Sequence, residues 1–215
     1  MENYRPIAIE QDSLKEFEQV LLARLQQYLC TTDNQFGFKT ELGTEMAICA
    51  LKQTIAYYRA KDFPLFLCFL DARKAFDQVN HWTLLRKLID RGTPKDLVRL
   101  LLFWFRNQEF LVKWGNSRSR PFNCANGIRQ GGQLSPLFYN VYIDQLSELL
   151  RVANVGCYIG EQSVNSLSYA DDVLLIAPTI TALQKLVNVC NDYAEPHDIV
   201  YNTSKTVCML VNPPR

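Results

Sequence analysis

Five consecutive apolar residues, Val173-Leu174-Leu175-Ile176-Ala177, follow directly on two adjacent acids, Asp171 and Asp172. Upstream, Asn165-Ser166-Leu167-Ser168 alternates. The stretch therefore reads as strand, tight turn and buried strand, with Tyr169-Ala170-Asp171-Asp172 at its tip. Neighbouring carboxylates repel, so a cation is expected to neutralise them. A second apolar run, Leu65-Phe66-Leu67-Cys68-Phe69-Leu70, closes on Asp71. Acids delivered by two buried strand ends form a cage for a hard divalent ion such as Mg²⁺. Two such ions about 3.5–4 Å apart serve in-line phosphoryl transfer. Nucleotidyl transfer is the chemistry this pattern predicts.

The 215 residues suffice for one large domain or two interlocked lobes. A hydrophobic content of 48% with 12% aromatics excludes a disordered chain. The net charge of +1 is low for a protein that grips nucleic acid. Basic surface is thus expected to be local or to lie outside these residues. Seven cysteines make no Cys-x-x-Cys pair, and the two histidines, His81 and His197, have no partner constellation. That pattern points to a reducing compartment and away from a zinc module. There is no signal-peptide pattern, and the apolar stretch Leu97 to Phe105 is interrupted by Arg99. A soluble intracellular protein of nucleus or cytoplasm, with no membrane partner, is expected.

Ser13 and Glu16 have capping-box spacing ahead of a helix carrying Leu14, Phe17, Leu21 and Leu25. Further helices are expected from Thr44 to Ala60, Trp82 to Arg91, Asp96 to Asn107, Ser135 to Leu150 and Thr181 to Tyr193. Ser135 reads as a cap with Pro136 at the first helical position. Phe110 to Asn123 reads as a hairpin, two short strands flank Gly160, and Cys208 to Val211 closes the chain as a strand. Mixed elements without regular alternation predict an α+β fold, an antiparallel sheet with helices on one face.

Three segments in order carry a resemblance: Phe69-Leu70-Asp71-Ala72-Arg73-Lys74-Ala75-Phe76-Asp77, Asn126-Gly127-Ile128-Arg129-Gln130-Gly131-Gly132-Gln133-Leu134-Ser135-Pro136, and Tyr169-Ala170-Asp171-Asp172. Asn3 to Ile9, Gln35-Phe36-Gly37-Phe38 and Asn202 to Thr206 extend it over nearly the whole chain. Together they resemble the reverse transcriptase domain of non-LTR, LINE-like retroelements. The resemblance implies a right-hand polymerase palm with partial fingers and no thumb. Fingers would comprise residues 1–63 and 83–126, and palm residues 64–82 and 127–215. It also implies two Mg²⁺ ions, for which Mn²⁺ could substitute. The implied partners are an RNA template, a DNA primer and a deoxynucleoside triphosphate, with thumb and endonuclease segments supplied from elsewhere in a parent polyprotein.

Asp71, Asp171 and Asp172 are the catalytic carboxylates of this reading, with the backbone carbonyl of Ala72 a further metal ligand by resemblance. A single strand-end acid would read equally well as a turn or cap residue; the pair is harder to explain that way. Phe76 occupies the family's steric-gate position, under the sugar of the incoming nucleotide; its plainer reading is a core ring. Gln130 and Gly131 offer a donor, an acceptor and close backbone approach in a glycine-bearing loop. By resemblance that loop lines the nucleotide and template pocket. Arg5 would grip the triphosphate with its guanidinium fork, and Lys205 would serve the pyrophosphate leaving group. Lys39, beside the Phe36 and Phe38 rings, would meet template phosphate, and Arg118, Arg120 and Arg129 would follow the template backbone. With so little positive charge, the isolated residues are expected to extend a primer slowly or not at all. Two alternatives stay open at this point: a group II intron maturase-like or RNA-templated RNA polymerase, and a repurposed fragment that only binds RNA.

Overall fold

A strand without a single polar residue needs apolar cover on both faces, and both apolar runs receive it. The computed structural model describes residues 7–9 and 12–213. Its first elements are α1 (Asp12–Leu25), α2 (Thr44–Ala60), β1 (Leu65–Leu70), α3 (His81–Asp90) and α4 (Lys95–Arg106). Short strands β2 (Glu109–Phe110), β3 (Lys113–Trp114), β4 (Ser117–Arg118) and β5 (Phe122–Asn123) precede α5 (Ser135–Val152). Then come β6 (Tyr158–Ile159), β7 (Gln162–Ser163), β8 (Ser166–Tyr169), β9 (Asp172–Ala177), α6 (Ile180–Ala194) and β10 (Val207–Val211). The described residues fall into two compact units, one within residues 1–30 and 76–142, the other within 31–75 and 143–215.

In the second unit the sheet runs β10-β1-β9-β8 and is antiparallel throughout. Cys68, Leu70, Val173, Leu175 and Ala177 point to one face, where Leu146 and Leu150 of α5 and Leu183, Leu186, Cys190 and Tyr193 of α6 cover them. Leu65, Leu67, Leu174 and Ile176 point to the other, against Leu51, Ile55 and Tyr58 of α2. The α+β class and antiparallel sheet agree with the sequence, but helices cover two faces where one was expected. The physical reason is visible in β1 and β9: neither alternates, so neither has a side for water. In β8 the alternation is inverted, with Ser166 and Ser168 buried and Leu167 partly exposed. Buried Asn165 donates to the Leu150 and Val155 carbonyls at 2.6 and 2.9 Å, which satisfies its amide.

The first unit holds the nested hairpin, β2 with β5 outside and β3 with β4 inside. Asn80 caps α3 by accepting from the Trp82 and Thr83 N–H groups. Two expected caps are corrected. Ser13 lies inside α1, which already includes Asp12. In α5 the Phe138 N–H bonds the Leu134 carbonyl, so Leu134 holds the cap position, Ser135 is first and Pro136 second. Proline fits there because the early N–H groups of a helix have no intrahelical partner. All seven cysteines are free thiols, and no described helix is long and apolar enough to cross a membrane.

His81 is structural. Its ring stacks on Phe105 at 4.4 Å between centroids, and Nε2 pairs with the Gly127 carbonyl at 2.6 Å. Burial lowers its pKa below the ordinary 6.5, opposed in part by that carbonyl. The folded state therefore holds the ring neutral, while the unfolded chain takes up the proton first as pH falls. His81 contributes its stability in full above about pH 6.5 and loses it on acidification. Melting temperatures of the parent and His81→Phe measured between about pH 7.5 and pH 5 should show a flatter slope in the variant. Equal slopes would remove His81 from the pH response.

Candidate functional site

The sheet register sets the acids. Leu70 pairs with Val173 in the β1–β9 ladder, so one step further Asp71 stands opposite Asp172, the first residue of β9. Tyr169 pairs with Asp172 across the β8–β9 hairpin, which leaves Ala170 and Asp171 as a two-residue turn. Ala170 adopts φ 55°, the left-handed region, at a cost of about 1–2 kcal/mol for a residue with a Cβ. Asp171 is half-buried and Asp172 exposed.

Beyond β1 the chain continues beside residues 200–202. The Asn202 N–H donates to the Asp71 carbonyl at 2.7 Å, and the Arg73 N–H to the Val200 carbonyl at 2.8 Å, flanking an Ala72–Tyr201 bridge. Backbone groups alternate along a strand, so the Ala72 carbonyl is directed to the opposite side, that of β9. Lys205 brings Nζ to 3.9 Å from Asp71 Oδ2, with 62% of its side chain exposed, a contact that contributes little to stability. Asn202 shapes its approach by accepting from the Ser204 N–H and hydroxyl.

Three carboxylates and a carbonyl are hard oxygen donors, which suit Mg²⁺ or Mn²⁺ and not a thiophilic metal. Among the described residues, no three acidic, imidazole or thiol side chains are drawn together into a ready metal cage. The donor chemistry and the backbone register fit a divalent ion, and the side chains would have to converge on it. Asp172 also ends a groove of about 340 Å³ between α2 and the sheet, lined by Ile48, Leu51, Phe69, Leu167 and Tyr169. Its walls are apolar and offer packing surface, not charge.

The Gln35-Phe36-Gly37-Phe38 segment lies along β8. Phe36 N–H donates to the Ser168 carbonyl and Ser168 N–H to the Asn34 carbonyl, both at 2.8 Å. Phe38 and Tyr169 rings sit 6.5 Å apart. Lys39 is turned inward, donating to the Thr31 and Thr32 carbonyls at 3.0 and 2.5 Å. Its expected phosphate role is therefore corrected to a loop brace. Sequence reasoning missed Gln35 itself, whose side chain is directed at the Ala170 turn.

In the first unit the glycine loop is fixed to the Phe76 segment. Ile128 N–H donates to the Phe76 carbonyl and Gly127 N–H to that of Val79. Gly127 has φ 93°, and a Cβ there would lie 2.8 Å from the Asp77 carbonyl oxygen; no other residue fits. Gln130 Nε2 is 3.4 Å from Asp77 Oδ1, and the Gln130 carbonyl accepts from Ala8 at 2.9 Å. Gly131 adopts φ 113°. Phe76 stacks on Tyr139, centroids 5.0 Å apart at 15°. Arg129 does not face outward with Arg118 and Arg120. Its side chain is buried, 2.6 Å from Glu18 Oε1 of α1 and over the Trp104 ring, so its charge is compensated inside the fold. Glu18 Oε2 also accepts from the Gln133 N–H at 2.5 Å. Arg5 lies outside the described residues.

Comparison with known proteins gives one family. The model of the family described as reverse transcriptase (RNA-dependent DNA polymerase) matches residues 1–214. The Pol polyprotein from the type-1 retrotransposable element R2 of Nasonia vitripennis is 29% identical over 181 residues, 84% of this chain and 18% of the relative. The R2 polyprotein of Popillia japonica is 27% identical over 97% of this chain and 30% of its own length. The "probable RNA-directed DNA polymerase from transposon X-element" of Drosophila melanogaster is 32% identical over 80% of this chain and 18% of its own length. The chain thus spans between 18% and 30% of these relatives. Among solved structures, apo telomerase from Candida tropicalis truncated from its C-terminal domain matches with a TM-score of 0.64 and 15% identity, over 94% of this chain and 40% of that one. That likeness is one of fold.

Proposed function

Because the chain belongs to the reverse transcriptase (RNA-dependent DNA polymerase) family, and its relatives are non-LTR retrotransposon proteins, we propose that it catalyses RNA-templated DNA synthesis. The observation that carries this reading is the register that sets Asp71 opposite Asp172 with Asp171 in the adjoining turn. Asp71, Asp171, Asp172 and the Ala72 carbonyl would hold two Mg²⁺ ions, for which Mn²⁺ could substitute. Bound there, the ions would activate the primer 3′-oxygen and stabilise the pyrophosphate leaving group. Gln130 and Gly131 would line the nucleotide and template pocket, Arg5 would hold the triphosphate, and Lys205 would place its charge or proton at the departing phosphates. Palm and fingers are proposed as residues 64–82 with 127–215 and residues 1–63 with 83–126.

The test is single-nucleotide addition to a DNA primer annealed to RNA, with protein in excess and at low salt, so that weak grip does not hide slow chemistry. Template-directed deoxynucleotide addition that requires Mg²⁺ or Mn²⁺ is expected. No template-directed addition with either ion, by a chain that still binds the primer–template under these conditions, would overturn the proposal.

Phe76 would act as the sugar gate, excluding a 2′-hydroxyl by collision and not by added attraction. Phe76→Val should therefore raise ribonucleotide use relative to deoxynucleotide use. An equal fall for both sugars would mark the ring as packing against Tyr139 and nothing more.

A further inference from the structure

We propose that Gln35, assisted by Gly37, is the positioning residue of the Ala170–Asp171 turn, and so aims Asp171; this rests on the polymerase reading above. Gln35 is 1% exposed, deep burial for an amide side chain that needs several hydrogen-bond partners. Its Oε1 accepts from the Ala170 N–H and from the Gly37 N–H, each at 2.9 Å. Its Nε2 donates to the Ala170 carbonyl at 3.2 Å. One side-chain amide thus holds both backbone groups of one residue, as a neighbouring strand would. The opposite amide orientation would set N–H against N–H, so the network fixes it.

The held residue is the one that matters. Ala170 is the left-handed residue of the turn, and its carbonyl belongs to the peptide that enters Asp171. Holding that peptide restricts the direction in which the Asp171 side chain leaves the turn. The clamp itself stands on firm backbone. Gln35 and Ser168 form a parallel bridge, and the Thr32 N–H is anchored to Asp144 Oδ1 at 2.7 Å. Gly37 lies so close that a Cβ on it would collide with the Ala170 amide nitrogen.

The chemistry of the position selects glutamine. Glutamate could accept from both N–H groups but could not donate to the carbonyl, and would add a third negative charge beside Asp171 and Asp172. Asparagine is one methylene short. Methionine fills the same volume with neither bond, which makes it the discriminating replacement.

Hydrogen exchange on the parent chain should find the Ala170 and Gly37 amides protected. Gln35→Met should speed exchange at those two amides about tenfold or more while leaving Leu175 and Ile176 unchanged, the size expected for one lost buried bond. Gln35→Glu, which keeps both accepted bonds, should restore the protection. Mn²⁺ affinity should fall about tenfold in Gln35→Met, and also in Gly37→Ala, which keeps the amide and displaces the turn. Fast exchange of Ala170 in the parent overturns the clamp, whether or not any variant folds. Unchanged Mn²⁺ affinity in Gln35→Met would reduce Gln35 to packing. Failure of the polymerase reading would look different: Asp171→Asn would leave Mn²⁺ affinity unchanged while Ala170 stayed protected in the parent and exposed in Gln35→Met.

Discussion

Asp171→Asn is expected to slow RNA-templated nucleotide addition by about 10²-fold or more, since loss of one preorganised charge or a displacement near 1 Å costs that much. The sheet should remain folded. The turn is held by backbone ladders on both sides of β9, Phe66 to Leu70 against Val173 to Ala177 and Ser166 to Tyr169 against Asp172 to Leu175. None of those bonds uses the Asp171 carboxylate. Removing one of two adjacent negative charges also relieves repulsion in the metal-free chain. Addition rates and circular dichroism on the same preparation make the check. A loss of activity that tracked a loss of folded protein would assign Asp171 to structure and not to chemistry.

The largest effect on stability is expected from Glu18. Glu18 is 0% exposed, and its two oxygens hold the Arg129 guanidinium and the Gln133 N–H. Glu18→Ala leaves a buried cation and a buried N–H without this acceptor, which costs about 3–5 kcal/mol. For a chain of this size that is a fall of roughly 6–20 °C in melting temperature. Removing both charges should cost less, because no buried cation is then left deprived of its carboxylate. Glu18→Leu combined with Arg129→Met is therefore expected to melt above Glu18→Ala. A Glu18→Ala chain that melts within about 1 °C of the parent would contradict the buried pair. The same two bonds bracket Gln130 and Gly131, so the single variant should also loosen the glycine loop.

Local signals in the sequence carried much of the fold. Helix α2 begins at Thr44 and ends at Ala60 as its periodicity and the following Asp62-Phe63-Pro64 break require. Strand β1 ends one residue before Asp71, and the Asp171 hairpin forms where alternation gives way to solid apolar residues. The second helical layer was implied by those unalternating strands and was not drawn from them. Ser13 and Ser135 show the limit of cap motifs: a good capping residue one or two positions inside a helix looks the same in the chain.

What the sequence did not disclose are partnerships over long separations. Glu18 and Arg129 are 111 residues apart, and Gln35 and Ala170 are 135 apart. No local rule connects them. A basic residue among arginines reads as surface until an acid on a distant helix is found to bury it. Gln35 precedes Phe36 and Phe38, whose rings read as stacking surface, and Lys39 reads as a phosphate contact although it braces two carbonyls. A buried polar side chain leaves no periodic signature, so the residues that aim the site were the least legible.

The central claim is that Asp71 and the Asp171-Asp172 pair, carried by different strands, hold the same divalent ions. Mn²⁺ titration of the parent, Asp71→Asn and Asp171→Asn chains, followed by electron paramagnetic resonance, tests it directly. Weaker binding by about tenfold or more is predicted in both variants, with Mn²⁺ raising the melting temperature of the parent through mass action. Parent-like Mn²⁺ affinity in both variants would contradict a shared metal site at this sheet edge.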